Sequence, residues 1–135
     1  VTRPARKLVP DETSRDRIHR IALRLFARYG FEGVSLQDIA DDVGLHKSTL
    51  FHHYKSKLEL VHEVIDAVIE DLLDVARPLI EGGEARLDDF YAAIDRLVDH
   101  FSEQPEAARL LLAAMTAPDD SELRSAPAST RAIEL

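Results

Sequence analysis

The chain of 135 residues contains no cysteine, which excludes disulfides, thiolate zinc sites and cysteine nucleophiles. Glycine is scarce, at five residues, while the apolar fraction is an ordinary 45%. Together these predict an all-α globular protein. No run of about 18 apolar residues occurs, so no spanning helix and no membrane partner are expected. No signal peptide is visible, and a cytoplasmic location is the expectation. The patterns GxGxxG, GxSxG, HExxH and the phosphate-binding P-loop are all missing, so neither catalysis nor a cofactor is expected. His46 and His53 could share a helix face, with His52 and His62 nearby in sequence. No carboxylate pattern around them fits a defined metal site, and none is predicted.

The charge that is present is unevenly spread. Residues 1–57 carry eleven Lys+Arg against seven Asp+Glu, a net of +4, whereas residues 58–135 carry six against eighteen, a net of −12. All four lysines lie at position 7 or between 47 and 57. An overall net charge of −8 argues against a nucleic-acid partner, but the asymmetry between halves restores one. The acidic half would be repelled by phosphate and is expected to sit away from a duplex.

Between Ser35 and Lys57 the chain reads S-L-Q-D-I-A-D-D-V-G-L-H-K-S-T-L-F-H-H-Y-K-S-K. Ser35 followed by Asp38 is a capping pattern that starts a helix. Ile39, Ala40 and Val43 give that helix one apolar face, and Ala40 is small enough for a close crossing. Gly44 stands where the chain must leave through positive φ. Leu45 and Leu50 then anchor a second helix, which completes a helix-turn-helix. With about 100° per residue and Leu50 inward, His46, His53 and Tyr54 fall within about 60° of the core direction. Ser48 points away from it, with Thr49 and His52 also outward and Lys47, Phe51 and Lys55 flanking. Such groups bond phosphates and base edges, and an aromatic ring can touch a thymine methyl.

With the strings I-A-L-R-L-F-A-R-Y-G-F-E-G-V-S, D-I-A-D-D-V-G-L and S-T-L-F-H-H-Y-K-S-K-L-E-L, the stretch from Ile18 to about Leu72 resembles the DNA-binding half of the TetR family of transcriptional regulators. The resemblance implies a homodimer that binds a palindromic double-stranded DNA operator and releases it when a small-molecule effector enters a C-terminal body. It implies DNA contacts at Ser35, Gln37, Lys47, Ser48, Thr49, Phe51, His52, His53 and Lys57. Family members often carry tyrosine where this chain has Phe51, which offers packing but no hydroxyl for a phosphate. The chain starts with Val rather than Met and stops inside a helical pattern, R-A-I-E-L. A fragment or processed form is therefore expected, without the last two helices that make most of the family's dimer interface.

Helical spacing organises the rest. Residues 1–12, with Arg3, Arg6 and Lys7, form a basic lead able to lie along a groove as an arm. From Ser14 the positions Ile18, Ile21, Ala22, Leu25, Phe26 and Tyr29 recur on one face up to Gly30. Ser56 and Glu59 predict a second capping box, opening a strut from Lys57 to about Arg77 that would be about 31 Å long. Pro78 and the turn Glu81–Glu84 are expected to end it. A further helix should point Leu87, Phe90, Tyr91, Ile94, Leu97, Val98 and Phe101 inward, and Pro105 should start another. Pro118, Ser121, Ser125 and Pro127 mark a polar linker.

The resulting expectation is a DNA-binding head over residues 13–73, with its motif at 36–55, and a partial regulatory and dimerisation body over 74–135. A small molecule held between body helices would be sought first at Phe90, Tyr91, Ile94, His100 and Met115. The function expected is a ligand-responsive transcriptional repressor. A helical protein-interaction module that keeps the motif without using it on DNA is the alternative. An enzyme with a helix-turn-helix appendage is disfavoured, because few residues remain for a catalytic domain.

Overall fold

The computed structural model describes residues 12–84 and 86–124, and these form six α-helices with no strand among them. The basic lead before Glu12 and the terminal R-A-I-E-L lie outside the described residues. Helix α1 spans Ser14–Tyr29 and starts at a capping box, in which the Thr13 hydroxyl accepts from the Asp16 amide and Asp16 accepts from the Thr13 amide. Ile18, Ile21, Ala22 and Phe26 are buried at the expected spacing. Tyr29, expected on that face, is 56% exposed and lies beneath the Arg28 guanidinium.

Helix α2 (Leu36–Val43) and helix α3 (Lys47–His53) form the predicted pair. Ser35 and Asp38 exchange both bonds of a capping box. Gly44 ends α2 at φ 81°, ψ 30°, in the left-handed region, and its amide bonds back to the Ala40 carbonyl at 2.9 Å. Ala40 and Leu50 are both fully buried. Gly33, in the loop before α2, has a different reason to be glycine: a Cβ there would meet the Tyr29 carbonyl oxygen at 2.3 Å.

Helix α4 runs from Lys57 to Glu81, 25 residues, or about 37 Å at 1.5 Å per residue. Two expectations are corrected here. The Ser56 hydroxyl accepts from the Glu59 amide, but Glu59 takes its bond from the Lys55 amide rather than from Ser56. Pro78 does not end the helix, which continues to Glu81. Proline fixes φ at a helical value and forfeits only one backbone bond, a loss that the final turn tolerates.

Helix α5 (Leu87–Glu103) packs on α4, and helix α6 (Pro105–Thr116) returns to pack on α1. The inward stripe expected for α5 is a further correction. Only Ala93 of α5 is buried, while Leu87 is 67%, Phe90 50% and Val98 58% exposed. The stripe is amphipathic as read, but the described residues supply no second layer to cover it. The expected linker also differs: a turn at 118–124 seats Leu123 in the core, 9% exposed. One apolar core therefore joins α1, α2, Leu50, Tyr54 and the first half of α4 to Leu110 of α6 and to Leu123. No helix among the described residues is long and apolar enough to cross a membrane.

Two predictions follow from this packing. Gly44→Ala has open space for its Cβ, so its cost is conformational, about 1–2 kcal/mol. Gly44→Asn should cost less, and equal urea midpoints for parent and Ala variant would refute the left-handed requirement. His62 of α4 has its Nε2 buried without a hydrogen-bond partner. Burial pushes its pKa below the usual imidazole value, against the Glu122 backbone and Asp66, which act to raise it. The unfolded chain thus takes up this proton more readily, and stability declines as pH falls below about 6.5. His62→Leu should flatten that decline in thermal midpoint; an unchanged slope would assign it elsewhere.

Candidate nucleic-acid interface

Leu50 turns into the core of the head and is the buried side chain of α3. Lys47, Ser48, Phe51, His52 and His53 are exposed, and Thr49 is half-buried. The outer side of α3 thus carries two hydroxyls, an ammonium, two imidazoles and one ring, and nothing in the described residues covers Ser48 or His52. The helical wheel misplaces two neighbours. His46 and His53 were expected to lean inward, yet both are exposed. His46 is the N-cap at φ −67°, ψ 146°, and Tyr54 follows the helix at φ −138°, ψ 119°. Both are extended, so the 100° step reaches neither His46 nor Tyr54, and His53, inside α3, sits about 60° from Leu50 at the edge of the buried sector. Tyr54 alone swings in, to full burial.

Five of the nine candidate contacts meet around one open groove of about 440 Å³, lined by Ser35, Gln37, Lys47, Phe51 and Lys57 together with the loop at 32–34, Leu36 and Asp38. Ser48, Thr49, His52 and His53 continue the surface along α3 rather than lining the groove. Lys57, the first residue of α4, is held in place: its ammonium donates to the Phe31 carbonyl at 2.7 Å and lies 4.2 Å from the Phe31 ring centroid. Lys47 leans towards Phe51, with its ammonium 5.9 Å from that ring. Two cations therefore border the groove.

Polar groups on the α2 side are already committed. The Ser35 hydroxyl donates to Asp38 at 2.8 Å and accepts from the Asp38 amide at 3.1 Å. The Ser35 amide and hydroxyl hold the Asp38 carboxyl below its usual pKa, so it stays an anion in the cap. Gln37 donates to Asp41 at 2.8 Å, which leaves its second amide proton and its carbonyl for other partners.

The residues expected to surround a small molecule stand differently. Phe90 is 50%, Tyr91 57%, Ile94 41% and Met115 69% exposed, and His100 is half-buried beside Phe101. Phe90, Tyr91 and Ile94 face outward because the apolar side of α5 has no covering layer among the described residues, and Met115 is exposed on α6. Sequence reasoning missed a polar cluster behind α3. There the Tyr54 hydroxyl is 2.8 Å from His19 Nε2, which is 3.2 Å from Glu63, itself paired with Arg15. It also missed Phe31 as the seat of Lys57. Contacts spanning 26 to 48 residues leave no local spacing to read.

Comparison with known proteins finds likenesses in both sequence and fold. Residues 18–64 match the family model described as bacterial regulatory proteins, tetR family. The HTH-type transcriptional repressor KstR2 of Rhodococcus jostii is 34% identical over 82 residues, which are 56% of this chain and 40% of that protein. The repressor SCO4008 of Streptomyces coelicolor is 32% identical over 100 residues, 74% of this chain and 48% of that one. The chain thus spans less than half the length of either relative. A crystal structure of a TetR-family transcriptional regulator from Bordetella parapertussis shares the fold at a TM-score of 0.72 and 24% identity, covering 90% of this chain and 64% of that one.

The cap at Ser35 gives a direct test of the local geometry. Ser35→Ala should lower stability by about 1 kcal/mol, read as a shifted urea midpoint at constant slope. An unshifted midpoint would show that Asp38 finds another partner.

Proposed function

The chain belongs to the tetR family of bacterial regulatory proteins, and on that premise we propose that it regulates transcription by placing α3 in the DNA major groove, as a repressor. The observation that carries the reading is the outer face of α3, open at Ser48 and His52 and bordered by the cations of Lys47 and Lys57. Ser48, Thr49, His52 and His53 are the groups offered to base edges, and Phe51 offers its ring to a thymine methyl. Lys47 and Lys57 take phosphates, Lys57 from the first turn of α4, where the helix dipole also favours an anion. Gln37 reaches the backbone from α2. Ser35 joins only if its hydroxyl turns away from Asp38.

Residues 13–73 serve as the reading head and 74–135 as part of the regulatory and dimerisation body. Two copies would read the halves of a palindromic operator, one helical turn or about 34–36 Å apart. A small molecule bound in the body acts by differential affinity for two head separations, with α4 carrying the displacement. Its site would be completed over Phe90, Tyr91, Ile94, His100 and Met115 once the uncovered side of α5 is roofed. That uncovered side also favours a second reading, a helical interaction module that does not bind DNA.

Salt titration separates the two readings. A DNA reader loses affinity steeply as salt rises, because cations on the protein displace condensed counterions. Lys57→Ala should weaken binding to all duplexes similarly and reduce the slope of log affinity against log salt by about one. Equal slopes for parent and variant would remove Lys57 from the phosphate contacts, and a flat parent would favour the interaction module.

A further inference from the structure

Helix α3 is seven residues long, and its N-cap His46 makes no side-chain capping bond. So short a helix does not hold itself in water; its pose is set by what it touches. Leu50, at its middle, is buried in the core and pins its position. One apolar contact is non-directional, and leaves α3 free to pivot about that point. The second anchor is Tyr54, directly after the helix, fully buried and tied to the Leu50 carbonyl through its own amide at 2.9 Å.

The Tyr54 hydroxyl reaches α1 directly and α4 through it. It is 2.8 Å from His19 Nε2 of α1. His19 Nε2 also lies 3.2 Å from Glu63 Oε2, and the other Glu63 oxygen is paired with Arg15, one turn before His19. The Arg15 guanidinium stands 5.6 Å from the Tyr54 ring centroid. Burial, then Glu63, push the Tyr54 pKa well up, so the phenol keeps its proton. On Glu63, burial raises the pKa, but Arg15 and the neighbouring donors outweigh it and keep the carboxylate charged. His19 Nε2 is thus the link between the phenol and the carboxylate, and these hydrogen bonds are directional where the Leu50 contact is not.

We infer that Tyr54 is a positioning residue whose hydroxyl, bonded to His19 and through it linked to Glu63, fixes the angle of α3 on the head and so its selectivity among DNA sequences. The inference rests on the proposed DNA-reading function for its consequence, though not for its geometry. Tyr54 lies behind α3 and adds no charge to its outer face, so its loss leaves phosphate attraction intact. What is lost is register: base-edge bonds require the helix at one angle, whereas phosphate contacts tolerate several.

The test uses Tyr54→Phe in the whole chain, which keeps the buried ring, with Glu63→Gln as a companion at a half-exposed position. Without DNA, amide exchange over residues 50–54 should rise about tenfold in Tyr54→Phe while α1 and α4 amides stay within about twofold. With DNA, a duplex selected by the parent from a random pool is compared with a scrambled duplex. The ratio of the two affinities should fall about tenfold, with scrambled-duplex affinity and salt slope unchanged. Glu63→Gln, which keeps an oxygen for His19 but loses the charge paired with Arg15, should give a smaller loss of the same kind. Unchanged exchange over residues 50–54, or equal weakening on both duplexes, would overturn the lock. A parent that selects no duplex would instead defeat the DNA-reading proposal, and the exchange measurement would still decide the lock.

Discussion

A helix of seven residues sits below the length at which backbone bonding alone sustains it, and α3 exists because the core lends it a surface. Leu50 and Tyr54 are the side chains it commits inward. Because so few are spent on holding it, Lys47, Ser48, Phe51, His52 and His53 all remain outside. The Gly44 turn makes that economy possible. Its left-handed backbone reverses the chain within one residue, and the small, buried Ala40 lets α3 cross close to α2. A bulkier side chain at 40 would lift α3 from the core and take Leu50 with it. The exposure of the outer face is thus a product of minimal anchoring.

Charge obeys the same geography. The chain is acidic overall, yet the surface beside α3 is bordered by Lys47 and Lys57. Charges in water at physiological salt are screened over about 8–10 Å. The far end of α4, about 37 Å from its start, cannot cancel the field at the groove. The acidic residues of α4 nearest the head are already occupied. Glu59 accepts from the Lys55 amide, and Glu63 pairs with Arg15 and His19. The acidic body therefore adds little to the field at the groove, whose own charges are Lys47 and Lys57 with Glu32 and Asp38.

Local rules explain what the sequence revealed. The cap at Ser35, the break at Gly44 and the start of α4 at Ser56 each depend on groups within four residues, and each stands where spacing put it. The register of α1 was equally readable, since Ile18, Ile21, Ala22 and Phe26 repeat at helical intervals. Failures began where a long-range partner decides. Periodicity showed that α5 has an apolar stripe but not whether anything covers it. Pro78 reads as a terminator in isolation, while its place near a helix end makes the lost bond tolerable. In the candidate site, the cations and hydroxyls of α3 were legible, but not the commitment of Ser35 to Asp38 or the seating of Lys57 on Phe31. Tyr54 gave the sharpest lesson: it turns inward as expected, though from an extended residue beyond the helix, and its partner His19 lies 35 residues away on α1.

The shared core changes how a disturbance in the later helices reaches α3. A strut such as α4 suggests a single lever, but α6 also packs on α1, and Leu110 and Leu123 belong to the same buried cluster as Ile18 and Leu50. Opening space at such a contact costs about 24 cal/mol per Å³ of cavity, so a void the size of a leucine side chain would cost a few kcal/mol. Motion of α6 is therefore cheaper if α1 follows than if the two separate. Helix α1 in turn holds Arg15 and His19, the partners that fix Glu63 and Tyr54. Displacement of α6 thus reaches the back of α3 by a second path, through the helix that carries two of the four groups setting its angle.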